Sequence, residues 1–227
     1  MYYFLLKKNY KKIMNKEIKR KKFNIIVLGE GSVGKTSIIR SLKGNYFEED
    51  ILSTVGMDYY SDVKVFDKEE YKFKIFDTAG QERYKSISTS NIKLANGILI
   101  VYAVDNKKSF EQIQFWINKI IEQTDISKKP IILVGNKIDL PRDISTEEGA
   151  NFAQGKKLKY FETSAKTGFN IKEVFNELYL DIYNLKSKTN ENFKIKKDTK
   201  KTKKKNKMLI FINNRFLLIC YYLIKYR

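Results

Sequence analysis

The sequence predicts an α/β fold with a six-stranded, mostly parallel sheet and helices on both faces. Short apolar runs alternate with amphipathic stretches from residue 23 to residue 185, which is typical of strands joined by crossover helices. Most of the predicted strands are nearly continuous apolar runs, so we expect both faces of the sheet to be covered. A mixed α+β arrangement is the alternative.

Six segments predict strands because each is short, apolar or alternating, and bounded by polar residues. They are FNIIVL (23–28), DYYSDVKVF (58–66), YKFKIF (71–76), ILIVYAV (98–104), IILVGN (131–136) and LKYF (158–161). DKEE (67–70) supplies the turn between the second and the third. Helices are predicted for SIIRSLKG (37–44), SFEQIQFWINKIIEQ (109–123) and NIKEVFNELYLDIYNL (170–185). The last of these places five apolar side chains on one face at helical spacing: Ile171, Val174, Phe175, Leu178 and Ile182.

The positive charge is concentrated at the two ends. The formal net charge is +19, of which residues 1–22 contribute +8 and residues 186–227 contribute +12. We therefore predict a basic, disordered extension over 1–21, a folded domain over 22–185, a flexible lysine-rich linker over 186–207 and an apolar tail over 208–227. The basicity says little about the folded domain itself.

The composition excludes several kinds of chemistry. Histidine is absent, which excludes His-assisted nucleophiles and His-ligated metals. The single Cys220 excludes an internal disulfide and a cysteine zinc cluster. Residues 1–6 are too short for the core of a signal peptide, so we expect a cytoplasmic protein.

The segment GEGSVGKT (29–36) matches the phosphate-loop pattern G-x-x-x-x-G-K-[ST] between a predicted strand and helix. Glycines allow successive backbone N–H groups to converge on phosphate oxygens, and the helix dipole adds positive potential. Lys35 can reach the β- and γ-phosphates, and the Thr36 hydroxyl can ligate Mg²⁺. A chance glycine-rich turn is the alternative, and the loop alone does not choose between ATP and GTP.

NKID (136–139) favours GTP. The Asp139 carboxylate can accept hydrogen bonds from guanine N1 and the exocyclic amino group, a pair of donors that adenine lacks. Asn136 suits the other edge of the base and the neighbouring loops, and Lys137 can lay its alkyl stem along the ring. Alone, this string is also compatible with an ordinary turn. Its position at a strand end after a phosphate loop is what indicates a base-binding loop.

DTAGQE (77–82) follows another predicted strand. Asp77 is placed to hold Mg²⁺, and the Gly80 N–H is placed to meet a γ-phosphate. Thr54, in STVGMD, can close the metal site with its hydroxyl. Taken alone, Thr54 is an ordinary loop threonine.

Together, GEGSVGKT, STVGMD, DTAGQERY, NKID and ETSAK (162–166) resemble the five guanine-nucleotide motifs of the Ras superfamily, over about residues 22–185. VGMDYY, KIFDTAGQERYKSIS and ETSAK most resemble the Rab branch. The resemblance implies the three-layer P-loop NTPase fold and a GTP/GDP switch with Mg²⁺. It also implies GTP hydrolysis that is slow without an activating protein, and a role in vesicle-mediated membrane traffic at the cytosolic face of an endomembrane.

By motif position, the resemblance also implies the roles of individual residues. Gln81 would orient the attacking water, and Lys35 is the second catalytic residue. The implied phosphate-binding residues are Gly29, Gly31, Ser32, Val33, Gly34, Lys35, Thr36, Ser37, Thr54 and Gly80. The implied guanine-binding residues are Phe47, Asn136, Lys137, Asp139, Ser164, Ala165 and Lys166. The implied metal ligands are Thr36, Thr54 and Asp77.

The resemblance further implies a monomer whose partners are an exchange factor, a GTPase-activating protein and GTP-dependent effectors. Ile51, Met57 and Tyr84 are candidates for the GTP-dependent surface, or ordinary packing residues. Two departures affect the effector surface: Phe76 replaces the Trp that commonly precedes the Asp of the DTAGQ motif, and NIKLANG (91–97) replaces the common YYRGA. A pseudo-enzyme would lack Gln81 or the metal residues, which are present here.

The tail leaves three interpretations open. MLIFI (208–212) and FLLICYYLI (216–224) form a poor membrane span because Asn213, Asn214 and Arg215 interrupt them. The segment over 194–224 could instead lie on an anionic membrane surface. Thirdly, it could be translated from AT-rich non-coding DNA. Cys220 is in no prenylation position, and the lysine runs lack the patterning of a nucleic-acid binder, so no nucleic-acid partner is expected.

Overall fold

The computed structural model describes residues 21–45, 47, 57–78 and 91–188. The chain divides into two units, Met1–Tyr183 and Asn184–Arg227. The first unit contains the sheet and the helices that position the site. Of the second unit, residues 184–188 are described, and they are helical. The predicted linker beyond residue 188, the apolar tail and the extension before residue 21 lie outside the described residues.

Six strands form one sheet in the order β2-β3-β1-β4-β5-β6. β2 and β3 pair antiparallel, and all the other neighbouring strands pair parallel. This confirms the predicted six-stranded, mostly parallel sheet. The strands are β1 (Lys21–Leu28), β2 (Met57–Phe66), β3 (Glu69–Thr78), β4 (Gly97–Ala103), β5 (Ile131–Asn136) and β6 (Lys159–Glu162).

The helices agree less closely with their predicted bounds. They are α1 (Lys35–Leu42), α2 (Lys107–Glu111), α3 (Ile113–Gln123), α4 (Thr146–Gly155) and α5 (171–188), with a 3₁₀ turn at Ile126–Lys128. The prediction of one helix over 109–123 was wrong. The Asn106 side chain caps α2 by accepting from the Ser109 N–H, and the helix is interrupted at Gln112. After this break, α3 directs Ile113, Trp116 and Ile120 into the core.

The turn between β2 and β3 is shorter than predicted. It consists of Asp67 and Lys68, both with positive φ (47° and 64°), whereas Glu69 and Glu70 already belong to β3. Two consecutive residues with positive φ are what a tight hairpin turn requires, because that turn matches the twist of the two strands. Asp67 also accepts a hydrogen bond from the Tyr183 hydroxyl.

Two apolar cores lie on opposite faces of the sheet, because successive side chains of a strand point in opposite directions. Ile25, Leu99 and Val101 join the core that contains the buried residues of α1 and α5. Ile26, Ile98 and Ile100 join the core that contains those of α3 and α4. Each central strand is therefore buried on both sides, as its apolar run predicts.

Tyr179 is a fully buried residue of the α1/α5 core. Its ring centroid lies 4.3 Å from that of Phe73, and its hydroxyl donates to Asp62 Oδ2 at 3.1 Å. Burial, with Asp62 beside it, raises the pKa of Tyr179 far above the ordinary tyrosine value. This hydroxyl links α5 to the edge strand β2.

Candidate functional site

The candidate site lies at the carboxyl ends of the parallel strands, which meet along one edge of the sheet. The phosphate-loop segment follows β1, Asp77 lies at the end of β3, and Asn136 ends β5. ETSAK begins at the last residue of β6. Motifs that are far apart in the sequence are therefore neighbours, at the edge where open α/β sheets bind ligands.

Two glycines of the phosphate-loop segment have almost no room for a side chain. Gly29 has φ +147°, and a Cβ there would lie 2.2 Å from the Val101 carbonyl oxygen. Gly34 has φ +92° and is the N-cap of α1, and a Cβ there would lie 2.4 Å from Asn136 Nδ2. The loop therefore packs tightly against β4 and the end of β5, and it continues directly into the start of α1.

Lys35 is the first residue of α1, and only 5% of it is exposed. Its ammonium group donates to the carbonyl oxygens of Gly29 at 3.0 Å and of Glu30 at 2.7 Å. Burial lowers the pKa of Lys35 to about 8, although Asp77 and Glu30 act in the opposite direction. A buried ammonium group held by two backbone carbonyl oxygens is a strong electrostatic partner for phosphate oxygens.

Two of the three predicted magnesium ligands are in direct contact. The Thr36 hydroxyl donates to Asp77 Oδ2 at 2.7 Å, and only 6% of Asp77 is exposed. A hydroxyl and a carboxylate oxygen are hard donors of the type that Mg²⁺ prefers. The third predicted ligand, Thr54, lies outside the described residues.

Asn136 is fully buried and connects three of the motifs. Its Nδ2 donates to the Val33 carbonyl oxygen in the phosphate-loop segment at 2.9 Å. Its Oδ1 accepts from Thr163 Oγ1 at 3.1 Å and from the Ala165 N–H at 3.2 Å. One amide side chain thus fixes the phosphate-loop segment against the residues that follow β5 and β6.

Ser164 connects the two loops that are predicted to bind the base. Its hydroxyl donates to Asp139 Oδ1 at 2.5 Å and accepts from the Thr167 N–H at 3.1 Å. Ser164 is buried, whereas Asp139 is exposed. The serine therefore orients the carboxylate from behind and leaves it accessible from the solvent side.

Lys137 has φ +69°, a left-handed conformation that is uncommon outside glycine. Its ammonium group lies 3.5 Å from Asp105 Oδ2. This pair holds the lysine stem over the loop that follows β4. Such local strain at a loop after a strand is typical of functional positions.

Phe47 and Lys166 lie together although they are distant in the sequence. The Lys166 ammonium group is 5.9 Å from the centroid of the Phe47 ring, and 40% of Phe47 is exposed. An exposed aromatic ring beside a lysine is a suitable partner for a flat, polar ring. Phe47 and Lys166, both members of the predicted guanine-binding set, are thus neighbours in the structure.

The other predicted phosphate-binding residues of this segment also lie in the loop or the first turn of α1. Val33 is buried, Gly31 and Ser37 are half-buried, and Ser32 is exposed with φ +61°. Gly80 and Gln81 lie outside the described residues, as do Ile51, Tyr84 and the side chain of Met57. Their roles stay predictions.

The two departures from the common Rab pattern have structural partners. The Phe76 ring lies 6.0 Å from that of Tyr59, which is 53% exposed. Asn96, in NIKLANG, pairs with the backbone of β1: its Oδ1 accepts from the Asn24 N–H at 2.8 Å, and its own N–H donates to the Asn24 carbonyl oxygen at 2.7 Å.

Two residues of the site were not predicted from the sequence. Thr163 is 1% exposed and holds Asn136 Oδ1, and Asp105 faces Lys137. The position of Thr163 beside Ser164 in ETSAK was a signal for the first, because adjacent residues of a short motif share their surroundings. Nothing in the string VDNKK distinguished Asp105 from an ordinary loop carboxylate.

Among the residues that the structure describes, no helix has both the length and the apolar character needed to cross a bilayer. The sequence profile of the Ras family matches residues 24–184. Over 198 residues the chain is 37% identical to Ras-related protein Rab-8 of Diplobatis ommata, which covers 83% of this chain and 94% of that protein.

Two further relatives agree with this similarity. Ras-related protein Rab11A of Lotus japonicus is 34% identical over 168 residues, 73% of this chain and 74% of that protein. Ras-related protein Rab-13 of Rattus norvegicus is 35% identical over 162 residues, 70% of this chain and 79% of that protein.

We expect Asn136→Ala to lower the free energy of unfolding by about 2–4 kcal/mol, since it leaves buried partners at Val33, Thr163 and Ala165 without their hydrogen bonds. Urea denaturation measures this change. Asn118→Ala is the matched control, because Asn118 is exposed and only accepts a hydrogen bond from Gln114. Equal midpoints for the two variants would contradict the assignment of Asn136 as the connecting residue.

Proposed function

The chain belongs to the Ras family and is a Rab-like small GTPase, a GTP hydrolase, and on this premise we propose how its residues divide the work on the nucleotide. The observation that carries the proposal is the buried Asn136 side chain, which joins the phosphate-loop segment to the loops after β5 and β6. A ligand with phosphates at one end and a guanine base at the other spans this arrangement.

The phosphates bind to the segment from Gly29 to Ser37. Backbone N–H groups of Gly31, Ser32, Val33 and Gly34 would donate to phosphate oxygens at the start of α1, where the helix dipole is positive. The buried Lys35 ammonium group neutralises charge on the β- and γ-phosphates. Its contacts with the Gly29 and Glu30 carbonyl oxygens support this, because they hold the charge inside the loop.

The guanine base binds between the loops that follow β5 and β6. Asp139 accepts hydrogen bonds from guanine N1 and the exocyclic amino group, and the Ser164 hydroxyl holds its carboxylate in the required orientation. The Ala165 N–H, which donates to Asn136 Oδ1 at 3.2 Å, would turn to the base oxygen when the nucleotide binds. Lys137 and the pair of Phe47 and Lys166 flank the ring, and Asn136 supports the loops from beneath.

Members of the Ras family bind Mg²⁺ together with the nucleotide. Thr36 and Asp77, which are in contact at 2.7 Å, are the residues that would hold this ion with Thr54. When bound, the ion neutralises charge that develops on the phosphate oxygens during transfer. The Thr36–Asp77 hydrogen bond pre-positions both ligands.

Hydrolysis depends on Gln81 to orient the attacking water, and on Lys35 to stabilise charge on the phosphate oxygens. The phosphate-loop segment contains no arginine. An activating protein would supply one, and such a residue contributes about 10³–10⁵-fold to the rate. The intrinsic rate of this chain is therefore slow.

Family membership implies exchange factors, activating proteins and effectors as partners. Contacts of Thr54 and Gly80 with the γ-phosphate order their segments in the GTP form and release them after hydrolysis. Effectors would bind the monomer in its GTP form. The complex would direct vesicle-mediated traffic at the cytosolic face of an endomembrane. The tail over 194–224 would add contact with an anionic membrane surface.

We expect Asp139→Asn to reduce GDP affinity by at least about 100-fold and to raise the affinity for xanthosine diphosphate, because an amide N–H₂ complements the second carbonyl of xanthine. Competition against fluorescent GDP measures both affinities. Asp125→Asn is the matched control, since Asp125 caps a surface turn and pairs with Lys128 within that turn. Unchanged GDP affinity in Asp139→Asn would refute the assignment of the base site.

Gln81→Leu should bind GTP as tightly as the wild type but lose at least about tenfold of its stimulated hydrolysis, since leucine cannot orient water. Phosphate release in the presence of a matching activating protein provides the measurement. Gln123→Leu, at the exposed last position of α3, controls for the change of side chain. Wild-type hydrolysis by Gln81→Leu would remove Gln81 from the mechanism.

For the tail, we expect full-length protein to sediment with vesicles that contain anionic phosphatidylserine and not with neutral phosphatidylcholine vesicles. Replacing the nine lysines between residues 194 and 207 by glutamine should weaken this binding at least about tenfold, because each lysine near the surface contributes roughly 1 kcal/mol. Binding that survives the replacement would contradict the surface role. The intact mass of the protein isolated from its own cells shows whether this tail is present there.

A further inference from the structure

A polar network lies next to the two loops assigned to the base. Tyr102 is buried, Tyr160 and Glu162 are half-buried, and Arg142 and Thr146 are exposed. The centre of the network is Glu162, the last residue of β6. Glu162 Oε1 accepts from Arg142 Nη1 at 2.6 Å and from the Tyr160 hydroxyl at 2.9 Å. Glu162 Oε2 accepts from Arg142 Nη2 at 2.8 Å and from Thr146 Oγ1 at 3.2 Å. One carboxylate therefore receives four hydrogen bonds from three residues.

A second tyrosine extends this network into the core. The hydroxyl oxygens of Tyr102 and Tyr160 are 2.8 Å apart. A hydroxyl has one hydrogen, and that of Tyr160 is directed to Glu162, so Tyr102 must donate to Tyr160. Burial raises the pKa of Tyr102 to about 12, so its hydroxyl stays protonated at neutral pH. The hydrogen bonds therefore run in one direction, from Tyr102 through Tyr160 to Glu162.

Two glycines provide the space for the hydroxyl pair. A Cβ at Gly149, inside α4, would lie 2.4 Å from both hydroxyl oxygens. A Cβ at Gly135 in β5 would lie 2.8 Å from that of Tyr102. Glycine in a helix interior costs about 1 kcal/mol relative to alanine. The close approach of the two tyrosines gives a reason for a glycine at position 149.

The network is continuous with the base loops through the backbone. The Gly135 carbonyl oxygen accepts from the Thr163 N–H at 2.8 Å, and the Ile138 N–H donates to the Thr163 carbonyl oxygen at 3.2 Å. Arg142 lies three residues after Asp139, and Glu162 immediately precedes Thr163. The Arg142–Glu162 pair therefore joins the same two loops that Asn136 and Ser164 also connect.

We infer that Tyr160 is a positioning residue for the guanine site, and that the order Tyr102, Tyr160, Glu162 holds the two base loops together and so slows release of the nucleotide. This inference rests on the proposed function, because it assumes that the base binds between these loops. Tyr160 acts through Glu162 and Arg142, and it does not touch the nucleotide.

The direction of the hydrogen bonds makes the two tyrosines unequal, although each contributes one hydroxyl. Tyr102→Phe leaves the bond from Tyr160 to Glu162 intact. Tyr160→Phe removes a donor from Glu162 and also leaves the buried Tyr102 hydroxyl without its acceptor. The double variant, which combines Tyr102→Phe and Tyr160→Phe, removes a donor from Glu162 but leaves no buried hydroxyl unpaired.

The experiment measures the dissociation rate of fluorescent GDP from full-length protein with excess unlabelled GDP and Mg²⁺, together with the unfolding midpoint of each variant. Tyr179→Phe is the matched control. It removes another buried phenol hydroxyl, which donates to Asp62 on the opposite face of the sheet. A purely structural role for the tyrosines would move the midpoint without changing the dissociation rate.

We expect Tyr160→Phe and the double variant to release GDP about fivefold faster than the wild type, a factor that corresponds to about 1 kcal/mol. Tyr102→Phe and Tyr179→Phe should remain within about twofold. The unfolding midpoint of the double variant should be at or above that of Tyr160→Phe. If Tyr160→Phe is not recovered as a folded protein, the double variant provides the same comparison.

Two results would overturn the inference while leaving the proposed function intact. One is that Tyr160→Phe and the double variant both release GDP within twofold of the wild-type rate. The other is equal acceleration in Tyr102→Phe or Tyr179→Phe, which would show that loss of any buried hydroxyl loosens the domain. A wild-type protein that retains no GDP would overturn the proposed function and this inference together.

Discussion

The site depends on one buried amide. Asn136 has no exposed surface, and it satisfies its donor and its acceptor on segments that are far apart in the sequence. A buried polar group without partners costs roughly 1–3 kcal/mol, so only an arrangement that brings Val33, Thr163 and Ala165 together accommodates this residue. The close approach of Gly34 to Asn136 Nδ2 follows from the same constraint. The amide therefore specifies the relative positions of the loops as well as stabilising them.

The sheet makes this arrangement possible because its parallel strands end at one edge. Apolar side chains alternate between two cores, one against α1 and α5 and one against α3 and α4. The strands β1, β4 and β5 are consequently fixed in register: Ala103 and Asn136, the last residues of β4 and β5, are direct partners, and Leu28 pairs with Ile100, three residues before the end of β4. Loops that follow these strands inherit that register. The apolar cores thus fix the positions of the loops, although no core side chain takes part in the chemistry of the site.

Local sequence patterns predicted most of this fold and much less of the support around the site. Apolar or alternating runs located all six strands, because burial of one or both faces of a strand leaves a local pattern in the sequence. The break at Gln112 was not predictable, since it depends on how Asn106 and Ser109 start α2 and how Trp116 enters the core. Sequence motifs brought Lys35, Thr36, Asp77 and Asp139 to attention. They gave no sign of Asp105 or of the Tyr102–Tyr160 contact, because hydrogen bonds between distant side chains leave no periodic trace.

The two ends of the site differ in how their polar groups are held. At the base end, the partners are side chains that are themselves buried, such as Thr163 and Ser164, so a change in one of them disturbs a packed network. At the phosphate end, Lys35 bonds to backbone carbonyl oxygens of its own loop, and Thr36 bonds to Asp77. Those bonds can be exchanged for contacts with phosphate oxygens and an ion without repacking a core. A nucleotide switch needs this division, because the base must stay bound while the contacts around the γ-phosphate form and break.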